Sequence, residues 1–537
     1  MNDEFKMVAE IFIQAVTKHP KRPALVIAEQ TWSYEELGDL VASASARLRK
    51  IVSVAAPGSR IAIIGDNHLA YIVAYWAAQC IGCSTVEIDR NESLQTLEGV
   101  LRAAQPQFAA TDRADIKTAL QGKIPVESFN EFLTNNLSDR KAGTSAPEDI
   151  ESLYKLLLER QFIQRFDEES SIVYTSGTTG SAKGVVLSHG NFCFIARSVA
   201  GYLELNETDR CALILPLCHT YGKSVLLGAA AAAAAVVILD GFGNQQKFLS
   251  RLTAENACTA LCAVPYHLNT LVKSGCLSQY DFSSLRLIAS SADKLSPSVI
   301  DGLTAALPHV RIFSMYGLTE AATRVCYVPP EMIHAKKESC GRPLPGVELK
   351  IVLEDGRAAA PNETGEIFVR GPNVMTGYFN DPDLTAAVIV NGWLRTGDLG
   401  HLDADGFLHI DGRKKDIIKC AGERISPLEI EEILMEYPGV DEAAVAGRPD
   451  SLMGEIIHAY VASRNSSLNK ADLREHCRER LSHNKVPYKY TIVERLPRTN
   501  TGKVNKHVLM EMPGNCLCEH RATCRGGSRT ALARSNN

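Results

Sequence analysis

The sequence predicts an α/β protein of two domains, and three observations carry that expectation. The chain has 537 residues, 45% of them hydrophobic, which is ample for a large core and too long for one ordinary domain. Apolar strand-like runs alternate with helical patterns through the first 330 residues, the rhythm of largely parallel sheets. From Gly341 the texture changes to short strands broken by Gly and Pro turns, and a second compact unit opens near Arg413 and closes near Leu509.

The elements follow in order. Asp3 and Glu4 have the wrong sign for the start of a signal peptide, and Val8, Ile11, Phe12, Ala15 and Val16 mark one face of an amphipathic helix instead. A strand is expected at Arg60–Ile64, followed by a helix around Ala70–Ile81. Residues 138–147, rich in Ser, Gly, Lys and Asp, read as a surface insertion, and a charged helix follows over 148–161. A strand at Ser171–Tyr174 precedes a glycine-rich loop. The longest apolar run, Val225–Leu239, is 15 residues, short of the roughly 20 that span a bilayer. Its seven consecutive alanines and the Val-Val-Ile-Leu after them read as a small-residue helix packed close to a sheet, then a buried strand. A further helix is expected around residues 248–255.

Residues 513–537 carry four arginines and almost no aliphatic side chains, and read as a disordered tail. Cys516, Cys518, His520 and Cys524 within it match no common zinc spacing. The net charge of −5 points to neither nucleic acid nor an anionic membrane. The 15 cysteines are odd in number and irregular in spacing, which fits a reducing, cytoplasmic setting better than a disulfide framework.

The strongest local signal is Tyr174–Val185, YTSGTTGSAKGV. Glycines let backbone N–H groups approach phosphate oxygens, hydroxyls add donors, and Lys183 adds charge. No Gly-Lys-Ser/Thr closes the loop, so it is not a Walker A sequence. Further along lie LPLCHTYGKS (215–224), SSADK (290–294), SMYGLTE (314–320), WLRTGDLG (393–400), DGRKKD (411–416) and RTNTGK (498–503).

In this order and spacing the motifs resemble those of the adenylate-forming superfamily of acyl-CoA synthetases, luciferase and nonribosomal peptide synthetase adenylation domains. The likeness covers nearly all of residues 5–509 and is greatest to AMP-forming acyl-CoA ligases. It implies an N-terminal AMP-binding domain (1–412) of parallel-sheet α/β layers with a small β-barrel-like part, and a small mobile α+β domain (413–512). It also implies ATP and Mg²⁺, with CoA as the thiol acceptor or, alternatively, the phosphopantetheine of a carrier protein.

By the same resemblance Thr175, Ser176, Gly177, Thr178, Thr179, Gly180 and Lys183 cradle phosphates, and Ala292, Asp293 and Lys294 form the adenine segment, where Ser291 and Ala292 replace glycines. Met315, Tyr316, Gly317 and Thr319 border the adenine and α-phosphate, Thr178 and Glu320 hold Mg²⁺, and Asp398 and Arg413 take the ribose. The residue types suit these roles: an aromatic face stacks on a base and carboxylates bind a hard cation. Lys503 is implied as the adenylating lysine, Lys415 as the hinge, and Lys419 as a residue of the second half-reaction.

His219 falls beside the carboxylate site, with Thr220, Tyr221 and Ser224 along the acyl pocket. Thr220 stands where amino-acid-activating members carry Asp, and an ammonium buried without that partner is costly, which disfavours an α-amino acid. Lys223 either meets a second anionic group on the substrate or points to solvent.

Overall fold

The computed structural model describes residues 5–52, 59–141, 152, 167–175, 183–239, 241–254, 257–463, 468–498 and 504–512. The chain divides into two compact units, Met1–Ile410 and Asp411–Asn537.

The first unit opens on the helix Val8–Lys18, which buries Val8, Ile11, Phe12, Ala15 and Val16 as its pattern requires. Among the described residues three sheets follow. In the first, six strands lie parallel in the order Pro23–Ile27, Ala235–Ile238, Arg210–Leu213, Ala260–Ala263, Leu287–Ser290 and Arg311–Tyr316. Antiparallel strands close its two edges, Gln30–Ser33 at one and Cys326–Tyr327 with Arg342–Pro343 at the other. The second sheet sets Ser84–Ile88 between Arg60–Ile64 and Glu169–Thr175, all parallel, with Lys183–Ser188 returning antiparallel. A third, antiparallel sheet of Glu348–Val352, Gly365–Arg370, Trp393–Leu402, Ile389–Val390 and Leu408–Arg413 curls into a half-barrel.

The strand expected at Arg60–Ile64 is present with those bounds, and the helix after it spans Leu69–Cys80. The helix Phe129–Lys141 runs four residues into the stretch read as an insertion, where the sequence has no glycine or proline before Gly143. The expected helix over 148–161 lies outside the described residues.

The alanine-rich run forms the helix Thr220–Ala231 and then the strand Ala235–Ile238. The helix lies against the sheet as expected, with Tyr221 donating to the Ala289 carbonyl, and it also approaches another helix closely. A Cβ on Gly228 would stand 2.5 Å from Val199 Cγ1, on the helix His189–Tyr202. That second helix starts in a capping box, in which the Asn191 N–H donates to Ser188 Oγ at 3.1 Å and the Ser188 N–H to Asn191 Oδ1 at 2.9 Å. No helix of the described residues is long and apolar enough to cross a membrane.

The second unit pairs Glu442–Asp450 with Gly454–Ala462 antiparallel and adds Lys489–Val493 parallel to the latter. The helices Pro427–Met435 and Lys470–Arg480 cover this sheet through Ile430, Leu434, Leu473 and Cys477. A hairpin of Ile418–Cys420 and Glu423–Ile425 joins it at Cys420.

Candidate active site

The chemistry-bearing segments of the first unit leave the carboxyl ends of parallel strands, the edge where open α/β sheets bind ligands. Leu287–Ser290 runs into Ser291–Lys294, and its neighbour Arg311–Tyr316 into Gly317–Glu320, with Ser290 opposite Ser314. Arg210–Leu213 leads to His219. In the second sheet Ser84–Ile88 leads to Asp89, and Glu169–Thr175 leads to the glycine-rich loop.

That loop lies outside the described residues, and with it Ser176, Gly177, Thr178, Thr179 and Gly180. Its ends are fixed, however, since Thr175 pairs with Lys183 across the antiparallel ladder. The Lys183 ammonium stands 5.6 Å from the centre of the Tyr378 ring, and the Tyr378 hydroxyl donates to Glu320 Oε1 at 2.8 Å. The Lys183 and Glu320 side chains thus share one aromatic neighbour. Tyr378 is an addition to the sequence-based set, and nothing in its local sequence marks it out. Burial, reinforced by the Glu320 carboxylate, pushes its phenol up, so it remains a donor at neutral pH.

The loop after Tyr316 is tight. A Cβ on Gly317 would lie 1.8 Å from the Thr323 carbonyl oxygen, so the position excludes every other residue. Ala322 and Thr323 themselves sit at positive φ, 45° and 73°. This turn brings Tyr316 to Asp398, and the Tyr316 hydroxyl donates to Asp398 Oδ2 at 2.7 Å. Asp398 is 4% exposed, although it follows a glycine as surface turn residues do. A register shift between Glu366 and Phe368 opposite the Trp393–Leu402 strand bulges the chain there. Burial and the Asp398 carboxylate drive the Tyr316 phenol well above its ordinary range. Met315 is buried and accepts from the Tyr202 hydroxyl at 3.1 Å.

In the adenine segment Ser291 is buried, Lys294 half-buried and Asp293 exposed. Ala292 holds φ +84°, a glycine-type conformation, at the position where the resemblance implies a glycine. The backbone there keeps the path of a glycine-rich segment and carries one methyl group more.

At the start of the helix Thr220–Ala231, His219 Nε2 is 3.3 Å from Asp89 Oδ2. Burial would raise the Asp89 carboxyl, but hydrogen bonds from His219 and Asn91 outweigh it and hold it below its ordinary value. Cys218 joins these two within 4.8 Å. Thr220 is buried, and Tyr221 donates to the Ala289 carbonyl at 2.8 Å, tying this helix to the strand that feeds the adenine segment.

Lys223 takes neither orientation expected of it. Its side chain is 1% exposed and its ammonium pairs with the Glu87 carboxylate, which also accepts from Tyr71 at 2.7 Å and Thr85 at 2.6 Å. The ammonium lies 4.4 Å from the centre of the Tyr75 ring. Both solvent and a substrate anion are therefore excluded as its partner; it is an internal tie between the second sheet and the acyl-side helix.

In the second unit Arg413 ends the strand Leu408–Arg413, and Lys415 lies in the exposed turn after it, closed by Asp416 N–H to Arg413 O at 3.0 Å. Lys419 is exposed on the hairpin, and its N–H donates to the Glu455 carboxylate at 2.7 Å. Lys503 lies outside the described residues. The chain on either side of it is pinned, as Arg498 bridges to Val504 and Lys506 Nζ donates to Glu431 Oε1 at 2.9 Å.

The donor set fits ATP and Mg²⁺. An aromatic ring anchored by its hydroxyl suits a base, a buried carboxylate suits a hydroxyl, and Glu320 offers a hard cation an oriented oxygen.

Comparison with known proteins agrees with this arrangement. Residues 12–379 match the AMP-binding enzyme family and residues 429–503 the AMP-binding enzyme C-terminal domain. The chain is 32% identical to 2-succinylbenzoate–CoA ligase from Bacillus velezensis, covering 93% of this chain and 97% of that protein. It is 31% identical to indoleacetate–CoA ligase from Aromatoleum aromaticum, covering 91% and 94%. The structure of o-succinylbenzoate coenzyme A synthetase from Bacillus subtilis in complex with ATP and magnesium superimposes with a TM-score of 0.79 at 30% identity, covering 92% of this chain and 98% of that one. The chain belongs to the AMP-binding enzyme family and is an ATP-dependent, AMP-forming acid–thiol ligase of the acyl-CoA synthetase type.

Proposed function

We propose that the chain joins a carboxylic acid to CoA in two half-reactions, with the smaller unit supplying a different lysine to each. The observation that supports this reading is the Tyr316–Asp398 hydrogen bond, which brings together side chains of two motifs 82 residues apart. Tyr316 and the Ala292–Lys294 segment would border the adenine, and Asp398 with Arg413 would take the ribose. Thr178 and Glu320 would hold Mg²⁺, which when bound neutralises charge on the leaving pyrophosphate.

In the first half-reaction a carboxylate oxygen of the acid bonds to the α-phosphorus of ATP, and the bond to pyrophosphate breaks. Two anions must meet, so positioning and cationic stabilisation do the work. Lys503 bridges the acid and the α-phosphate, and Lys183 lies toward the departing group. The Asp89–His219 pair shapes the carboxylate end of the acyl site. In the second half-reaction the thiol sulfur bonds to the acyl carbon, the bond to AMP breaks, and the thiol proton passes to solvent. For this step Lys503 withdraws about Lys415 and the hairpin bearing Lys419 replaces it.

The two named ligases act on different acids at nearly equal identity to this chain, 32% and 31%, so likeness does not choose the acid. The test is Lys503→Ala. Acid-dependent ATP–pyrophosphate exchange is expected to fall about 100-fold or more, the scale of a lost transition-state charge contact. Thioester formation from supplied acyl-AMP is expected to stay within about threefold of the parent, because Lys503 is withdrawn in that step. Equal loss in both would sink the two-lysine division of labour.

A further inference from the structure

Arg324 lies four residues beyond Glu320 and is 1% exposed, yet among the described residues it has no carboxylate partner. Two other buried charges of this unit have an opposite charge beside them: Glu87 has Lys223 and Asp209 has Arg286. Among the described residues the Arg324 guanidinium donates from Nη2 to Ser224 Oγ at 3.0 Å. Its Nε and Nη1 groups find no acceptor. The titratable groups around it are Tyr202, Tyr221 and Cys262. Burial pushes Tyr202 up to about 12 and Cys262 up to about 11, and lifts Tyr221 well above its ordinary value, so none of them supplies an anion at neutral pH.

What faces the cation is the Tyr221 ring, with the guanidinium carbon 4.3 Å from its centre. A cation–π contact offsets part of the desolvation cost but satisfies no N–H. A guanidinium buried with open donors is a costly arrangement, and where only packing is required an apolar side chain does better. Its neighbours place it, because Tyr221 and Ser224 are the residues read as the wall of the acyl site. Lys223, for which a second substrate anion was one of two expected partners and solvent the other, is consumed by Glu87, whereas Arg324 donates to Ser224 on the same helix.

Resting on the adenylation reading above, we propose that Arg324 is the specificity-determining residue of the acyl site and that the acid activated is a dicarboxylate. One carboxylate is adenylated, and the other accepts hydrogen bonds from the guanidinium N–H groups that the fold leaves open. A neutral acceptor would fill the hydrogen bonds and leave the charge unmatched; a carboxylate does both.

The test pairs aliphatic and aromatic dicarboxylic acids of increasing length with the monoamide of each. Acid-dependent pyrophosphate exchange and the melting-temperature shift on adding the acid are read on the full-length enzyme, Arg324→Met and Arg324→Lys. For at least one skeleton the parent enzyme is expected to favour the diacid over its monoamide by about 100-fold or more in kcat/KM, as sites built around a polar group do. In Arg324→Met that ratio is expected to collapse to within about threefold of unity, with loss of the diacid's thermal shift. Arg324→Lys, which keeps the charge without the fork, is expected to fall between the two. If Arg324→Met does not fold, the parent's diacid-to-monoamide ratio still decides. Monoacids accepted by the parent as well as diacids, or a ratio unchanged in Arg324→Met, would overturn this proposal alone. Absence of exchange with every acid would overturn the adenylation reading and this proposal with it.

Discussion

At the scale of single residues, the site rests on side chains that hold others in place. Tyr378 orients Glu320, Tyr316 meets Asp398, and Asp89 meets His219. Lys223 with Glu87, both fully buried and 136 residues apart, is a further tie. Removing one partner strands the other charge in the core, which costs about 3–5 kcal/mol. Lys223→Met is therefore expected to lower unfolding stability by about that amount, and Lys223→Met with Glu87→Leu to recover most of it. Denaturant unfolding of the single and double variants measures both. A single variant as stable as the parent would show that the pair is no tie. Motif residues such as Glu320 and Asp398 were legible in the sequence because they stand in fixed strings. Tyr378, the partner of Glu320, was not, because it lies on a distant strand whose neighbour only the sheet order decides. Arg324 left one trace, a charge set in the apolar string AATRVCYV.

At the scale of elements, period and composition read well where a segment has one buried face. The helix Val8–Lys18 and the strand Arg60–Ile64 follow from spacing alone. The alanine-rich helix was legible as a helix against a sheet, but its second neighbour was not. Small residues permit close approach to anything, and here Gly228 meets Val199 on another helix. The turn after Arg413 carries its own prediction. Lys415 is the third residue of a turn closed by Asp416 N–H to Arg413 O, a position proline disfavours because it forces the preceding residue out of the helical region. If this turn changes its backbone angles between half-reactions, Lys415→Pro is expected to slow the two unequally, by a difference of about tenfold or more, since an asymmetric shift of about 1.4 kcal/mol suffices. Exchange and thioester yield on one preparation, with a melting curve beside them, provide the comparison. Parallel loss at unchanged melting temperature removes Lys415 as the hinge.

At the scale of the whole molecule, alternating strands and helices foretold parallel sheets, and parallel sheets foretold where ligands bind. Segments bearing Asp89, His219, Asp293 and Glu320 leave carboxyl ends of strands in two sheets, which is why Asp89 and His219 meet across 130 residues of sequence. The half-barrel sheet and the division at Ile410 were legible only as a change of texture, since short antiparallel strands have no long period to read. The central claim is that this site makes an acyl-AMP before any thiol takes part. Exchange of labelled pyrophosphate into ATP, measured with an accepted acid and no thiol present, tests it most directly. The account predicts exchange that depends on the acid and on Mg²⁺, with AMP and pyrophosphate released once CoA is added. Exchange that appears only with the thiol, or release of ADP and phosphate in place of AMP and pyrophosphate, would contradict it.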